Sequence, residues 1–197
     1  YETSVHWAVA IDEGPDGQPW YRLKDELLEV DYHVPAIHMR AIQPEEITPI
    51  SPDVPPEEKR IEVSLGQQTL TAYEGDQVVL HTKISSGVAN YMGAKTETPK
   101  GDFRVYSKMP SKHMGDGRLT NDLKAYELPG VPWTSFFEES GVAFHGTYWH
   151  QNFGMTRSHG CVNMKTDEAK WIFRWVTPIS TMEDWEKTGN GTKVSVS

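Results

Sequence analysis

The stretch from Phe144 to Met164, FHGTYWHQNFGMTRSHGCVNM, holds the single cysteine of the chain, Cys161, and three of its eight histidines, His145, His150 and His159. A cysteine nucleophile needs a thiolate, a base to generate it, and backbone donors for the oxyanion that forms. Ser158-His159-Gly160-Cys161 supplies the sulfur. A glycine beside it lets main-chain N–H groups turn toward one point. Two imidazoles compete to be the base. His159 is two residues from Cys161 and shares its face if the segment is extended, whereas His145 lies sixteen residues upstream, at the end of the apolar run Val142-Ala-Phe144. A strand end is a stiff mount for a base. An unperturbed thiol has a pKa of about 8.5, so a neighbouring imidazolium is a direct route to a thiolate near neutral pH.

Other chemistries compete for the same residues. A lone cysteine often serves as a small buried hydrophobe. Histidines with a cysteine also suit zinc, whose ligands on one loop usually come in tight CxxC or HxxxH pairs. His145/His150 and His159/Cys161 have neither spacing. No metal or other cofactor is expected.

The elements that must position these groups are mostly strands. Ile61, Val63 and Leu65 alternate with polar residues, Gly66-Gln67-Gln68 turns, Leu70, Ala72 and Tyr73 follow, and Glu74-Gly75-Asp76 leads into Val78 to Ile84. That is the pattern of a β-meander. Ser85-Ser86-Gly87 ends it, and Phe103 and Val105 belong to a later strand. Ser107 to Leu128 reads as a long polar loop, a length usually reserved for function or mobility. Within it His113 reads as an ordinary exposed histidine and Tyr126 as a candidate groove contact. Trp133, Phe136 and Phe137 read as core packing before the Val142–Phe144 strand. After the cysteine, Thr166 is a candidate cap, Asp167 and Glu168 suit a first helical turn, and Ala169, Ile172, Phe173 and Val176 form a helical stripe closed by Pro178.

Upstream, Val5 to Ile11 and Trp20 to Leu23 flank a turn at residues 12–17, which predicts a hairpin. Tyr32 to Ala36 and His38 to Ile42 read as edge strands, with Pro35 excluding a central position. Gln43 to Lys59 carries Pro44, Pro49, Pro52, Pro55 and Pro56 among acids, which predicts an extended, solvated, semi-rigid linker.

The stretch around Cys161 resembles the active-site signature of the L,D-transpeptidases, the YkuD-like family. The matching residues are His145-Gly146, then a loop, then Ser158-His159-Gly160-Cys161-Val162-Asn163. Three further segments resemble family landmarks in the right order: Thr98-Pro-Lys-Gly-Asp-Phe-Arg-Val105, Val131-Pro-Trp-Thr-Ser-Phe-Phe137 and Gly191-Thr-Lys-Val-Ser-Val196. Residues 1–43 are similar to the end of a bacterial SH3-like wall-targeting module. The resemblance implies a mainly β protein: a YkuD-like β-sandwich with one or two short helices over residues 60–197, a linker at 44–59, and a small SH3-like β segment at 1–43.

The resemblance further implies cysteine-dependent transfer of peptidoglycan stem peptides, from a donor tetrapeptide to an acceptor amine, with a 3→3 cross-link as product. Cys161 would be the nucleophile and His145 the base, oriented by the Gly146 carbonyl. The N–H groups of His159, Gly160 and Cys161 would hold the oxyanion. Tyr148, Trp149, Ser158, Asn163 and Arg157 would contact substrate, with Asn163 standing where many relatives have arginine. Carbapenems would be covalent inhibitors, and the place of action would be the cell envelope. With water as acceptor the same chemistry is that of an L,D-carboxypeptidase. A wall-binding protein with a silent site and a peptidase acting on L-peptides are the other readings, although papain-like chains place the cysteine before the histidine.

Composition narrows the field. Seven Trp, eight Tyr and six Phe suit a β-rich fold with binding surfaces. A net charge of −9 disfavours a nucleic-acid partner. No apolar run approaches the roughly 20 residues of a membrane span. The chain begins at Tyr1 with no charged-then-apolar leader, as expected of a processed or trimmed form.

Overall fold

A computed structural model of the protein describes residues 3–90, 93, 95–115, 117 and 127–197. Three strands, β1 (Trp7–Glu13), β2 (Pro19–Asp25) and β3 (Val30–Pro35), form an antiparallel sheet in the order β1-β2-β3. The expected hairpin is β1–β2, and Asp16 fixes its turn by accepting from Trp20 Nε1 (2.9 Å) and the Gln18 N–H (3.1 Å). The predicted strand at 38–42 does not form: residues 36–38 make a short 3-10 turn after Pro35.

The proline-rich segment is exposed over much of its length, as expected, but part of it is docked. Pro44–Glu46 and Pro56–Glu58 are 3-10 turns, in which a leading proline is pre-organised. Ile47 between them is buried in the core. The Ile50 N–H donates to Arg174 O (3.1 Å), Arg174 Nε donates to Thr48 O (2.7 Å), and Lys170 pairs with Glu46 (2.6 Å). Glu46, Thr48 and Ile50 thus find partners on a helix more than a hundred residues away in sequence, while Glu45, Asp53, Glu57 and Glu58 stay exposed.

Two five-stranded sheets follow. One has the order β6-β5-β4-β13-β7, built from β4 (Lys59–Ser64), β5 (Thr69–Glu74), β6 (Gln77–Lys83), β7 (Gly101–Arg104) and, at the far end of the chain, β13 (Lys193–Val196). The other has the order β11-β10-β9-β8-β12, from β8 (Ser107–Gly115), β9 (Glu127–Glu138), β10 (Val142–Gly146), β11 (Val162–Met164) and β12 (Lys187–Thr188). Ile61, Val63, Leu70 and Ala72 from the first sheet share one core with Phe137, Phe144, Val162 and Met164 from the second. The helix α1 (Thr166–Trp175) adds Ala169, Ile172, Phe173 and Trp175 to that core. Lys165, not Thr166, is the capping residue, and no side chain caps this end.

The other end of α1 is capped by lysines. Lys108 Nζ donates to Phe173 O (2.6 Å) and Val176 O (3.0 Å), and Lys59 Nζ to Trp175 O and Ile50 O (both 3.1 Å). The last carbonyls of a helix lack intrahelical partners and carry its negative pole, so buried cations suit them. Burial and the neighbouring Lys59 charge draw Lys108 down to about 7.

The largest departure from expectation lies at residues 107–128. In place of a loop, Ser107–Gly115 and the start of β9 form a hairpin that carries much of the second sheet, while Tyr126 lies outside the described residues. Two polar side chains of β8, Ser111 and His113, are buried against the N-terminal segment, while Ser107 turns to Glu186 and Lys108 to the end of α1. Ser111 Oγ bonds to Val5 O at 2.5 Å, and the Val5 N–H donates to Gly130 O (3.0 Å). Gly130 must be glycine: its φ is 68°, and a Cβ would lie 2.4 Å from the His6 ring. His113, expected at the surface, is 3% exposed. Its Nδ1 meets Asp25 Oδ2 (2.6 Å), its Nε2 meets Glu127 Oε2 (2.8 Å), and its N–H donates to Glu26 Oε1 (2.8 Å).

His113 is thus the donor between carboxylates from the N-terminal sheet and from β9. Removing one partner of a buried charged cluster costs about 3–5 kcal/mol. His113→Ala is therefore expected to lower stability in chemical denaturation by about 3 kcal/mol. A loss below about 1 kcal/mol, the range of exposed pairs, would show that this junction holds without it.

Candidate active site

The parallel pairing of β10 with β11 brings the chemistry-bearing residues together. Phe144 pairs with Val162, His145 with Asn163, and Gly146 with Met164. Side chains alternate along each strand, so Phe144, Val162 and Met164 face the core and His145 and Asn163 face away from it. Continued one residue back, the same alternation puts Cys161 on the outer face beside Ala143. One strand spacing and two residues of rise place the Cα atoms of His145 and Cys161 about 8 Å apart.

The loop before Cys161 is strapped by Ser85–Val88, whose Ser85-Ser86-Gly87 has the pattern of a strand end. The Ser85 N–H donates to Asn163 O and the Asn163 N–H to Ser85 O, both at 2.9 Å. The Arg157 and Ser158 N–H groups donate to Ser86 O (2.9 and 3.1 Å), and the Val88 N–H donates to Ser158 O (3.0 Å). Thr98 Oγ1 donates to Gly160 O (2.7 Å) and accepts from the Gly87 N–H (2.9 Å). Thr98 is 1% exposed and joins the Thr98–Val105 segment directly to the cysteine loop. Gly87 leaves room for this: a Cβ there would lie 2.0 Å from Thr96 O and 2.9 Å from Gly160 N. Thr98 and Gly87 are the functional positions that residue-type reasoning missed. Thr98 opens a recognised landmark, whereas nothing in the sequence distinguishes Gly87.

His145 is buried, and its Nδ1 donates to Gly146 O (3.0 Å). A carbonyl can only accept, so Nδ1 carries the hydrogen and Nε2 keeps its lone pair. Burial draws the ring down to about 4; the Gly146 carbonyl pulls the other way, and His150 adds to the lowering. Cys161 keeps partial exposure, with Sγ 3.7 Å from Gly141 O. Burial pushes its thiol up to about 11, offset in part by the Ala143 N–H. Thiol and imidazole make no hydrogen bond to each other in this geometry, and both are neutral at pH 7. Burial disfavours charge on either member, which runs against the expected imidazolium beside a thiolate.

The other expected site residues fall into two groups. Trp149 packs against the His145 ring at 5.8 Å and meets Tyr148 edge-on at 4.9 Å. The Tyr148 hydroxyl donates to Pro129 O (2.8 Å). Ser158 Oγ is committed within the loop, donating to Cys161 O and accepting from the Gly160 N–H at 3.2 Å. The Gly160 amide, expected in an oxyanion hole, is thus occupied at rest. His159 is half-buried and lines a cleft beside Gly160. Arg157 is exposed and contributes its backbone to the strap.

Asn163 is 2% exposed, and its amide lies 2.9 Å from His150 Nε2. The Asn152 N–H donates to His150 Nδ1 (3.2 Å). Burial, then the Arg157 charge, lower the His150 ring, which is neutral and bears its hydrogen on Nε2. That N–H requires the Asn163 oxygen, not its nitrogen, to face the ring. Among the described residues no group of three or more His, Cys, Asp or Glu gathers as a metal site.

A family model for the L,D-transpeptidase catalytic domain, YkuD, matches residues 58–196. The putative L,D-transpeptidase YkuD of Bacillus licheniformis is 27% identical over 140 residues, 70% of this chain and 64% of that protein. The chain thus spans less than two thirds of that relative. Among solved structures, a cysteine-to-serine mutant of the Enterococcus faecium L,D-transpeptidase is 26% identical with a TM-score of 0.54, over 71% of this chain and 50% of that one. The L,D-transpeptidase LdtMt1 in complex with imipenem has a TM-score of 0.55 over 71% of this chain and 59% of that one. At 23% identity the last likeness concerns the fold alone.

The raised thiol and lowered imidazole make one prediction. Ultraviolet thiolate absorbance, taken as the difference between the protein and Cys161→Ala, should be absent through neutral pH and grow only toward the alkaline side. Thiolate absorbance already present below pH of about 7, as at strongly activated cysteines, would contradict a neutral resting pair.

Proposed function

Because this chain belongs to the L,D-transpeptidase catalytic-domain family, we propose that it forms 3→3 peptidoglycan cross-links through a thioester on Cys161. His145 Nε2 takes the thiol proton as Sγ attacks the L-centre carbonyl carbon of the third residue of a donor tetrapeptide. Main-chain N–H groups of the His159–Cys161 loop hold the resulting oxyanion, with Gly160 exchanging its bond to Ser158 for one to substrate. Collapse breaks the C–N bond to the terminal D-Ala, whose amine leaves with the proton from His145. A side-chain amine of a second stem then attacks the thioester and passes a proton to His145. The C–S bond breaks, and the sulfur regains its proton.

The observation that supports this reading most is the strand register that gives His145 and Cys161 one common face, with Nδ1 tied to Gly146 O. A base held by a carbonyl needs no carboxylate partner, and none lies between His145 and Asn163. A neutral imidazole has the free lone pair on Nε2 that takes the thiol proton during attack. Tyr148 and Trp149 would form a groove wall. Asn163, its oxygen held by His150, would turn its nitrogen toward the reacting face, with Arg157 at the rim. Residues 1–43 would serve as an SH3-like wall-targeting module, and the place of action would be the cell envelope. Among the described residues no helix is long and apolar enough to cross a membrane.

A carbapenem offers a strained acyl group to the same sulfur, and LdtMt1 has been solved in complex with imipenem. Intact mass after incubation should show a single adduct, absent from Cys161→Ala and formed about 100-fold or more slowly by His145→Ala, the scale of a lost general base. An adduct on the Cys161→Ala protein would remove the assignment of the nucleophile.

A further inference from the structure

Two clefts flank the turn Glu138–Gly141, whose last carbonyl touches Cys161 Sγ at 3.7 Å. Glu138 and Ser140 line the smaller one, about 460 Å³, together with Thr98, His159 and Gly160. Glu139 lines the larger one, about 870 Å³, on the other side. The smaller cleft borders the loop that would hold the oxyanion and so belongs to the donor side. The larger lies over the outer face of β4, β13 and β7, away from that loop.

Its floor has an unusual charge pattern. Arg60 pairs with Lys193 across β4 and β13, and Lys193 with Arg104 across β13 and β7, so three cations stand directly side by side. At strand spacing they span about 10 Å. Like charges directly opposite one another destabilise a sheet. The next row is Glu62, Ser195 and Asp102. Arg60 is partly satisfied: Nε meets Glu62 (3.3 Å), and its guanidinium lies 4.1 Å over the Tyr73 ring. Asp102 is hydrogen-bonded to Ser195. Arg104 spends one donor on Gly191 O (2.9 Å). Lys193 has no ion pair or side-chain hydrogen bond among the described residues. The cleft therefore offers unspent positive charge at Lys193 and Arg104, beside carboxylates at Asp102, Glu62 and Glu139. A ligand carrying both a carboxylate and an ammonium group fits both rows.

Resting on the function proposed above, we propose that this cleft is the acceptor subsite, in which Lys193 and Arg104 hold a carboxylate of the second stem peptide. A stem of four residues spans at most about 14 Å when extended. Its side-chain amine then rounds the Glu138–Gly141 turn to meet the thioester from the side away from His159. The two half-reactions thereby use separate walls of one turn.

The test separates those half-reactions. With a tetrapeptide donor, adduct formation on Cys161 is followed by intact mass, and transfer is followed as a function of acceptor-stem concentration. Lys193→Glu and Arg104→Glu should raise the acceptor KM about tenfold, the scale of one charged hydrogen bond, while adduct formation keeps its rate. Lys193→Arg should restore the KM. An unchanged acceptor KM in both reversals would overturn the subsite. If the protein with its native cysteine forms no adduct, the function proposed above fails instead. Nuclear magnetic resonance titration of Cys161→Ala with the stem peptide then decides the subsite. Shifts at Arg104 and Lys193–Ser195 support it, whereas no shifts there, or shifts confined to the Ser158–Asn163 loop, overturn it.

Discussion

The site depends on one short parallel strand pair. Three residues of β11 lie against three of β10, and parallel neighbours need a crossover between them. Here the crossover is the loop that carries Tyr148, Trp149 and His150 out and brings Cys161 back. A slip of one residue would turn every side chain to the opposite face. His145 would enter the core and Phe144 would leave it. Because Phe144, Val162 and Met164 are all fully buried, that slip is costly, and apolar packing on one side fixes the catalytic geometry on the other.

The same burial sets the electrostatics. His145 is drawn down to about 4 and Cys161 pushed up to about 11, so burial disfavours charge on both. The thiol lies against Gly141 O and the Gly160 N–H against Ser158 Oγ, so in the proposed reaction both exchange a partner within the protein for one in the substrate. The Ser85–Val88 strap and Thr98 tie the loop to the rest of the fold. Apo hydrogen bonds at catalytic sites are often loose and tighten only with substrate.

Much of this was legible in the sequence where chemistry is written in adjacent residues. His145-Gly146 and Ser158 to Asn163 announced the site, and period-two alternation announced β4 to β6. The helix over Thr166–Trp175 was legible from its stripe, though not its cap. The failures share one physical cause. Ser107–Gly115 looks like a loop because the partners of its polar side chains are distant in sequence: Val5 and Asp25 upstream, Phe173, Val176 and Glu186 downstream. The proline-rich segment looks solvated because Glu46 and Thr48 find their partners on α1. Gly87 looks like a strand end because its crowding by Thr96 and Gly160 exists only after folding. Burial of polar groups is read from partners, and partners distant in sequence leave no local signature.

The central claim is that a neutral imidazole, mounted across the β10–β11 pair, serves the one sulfur on its own face. A crystal structure of the carbapenem-acylated protein measures this most directly. The account predicts the thioester on Cys161, with His145 Nε2 facing that sulfur within hydrogen-bond reach, directly or through one water, and Nδ1 still donating to Gly146 O. A His145 ring turned into the core, or kept out of reach of the sulfur by an intervening side chain, would contradict it.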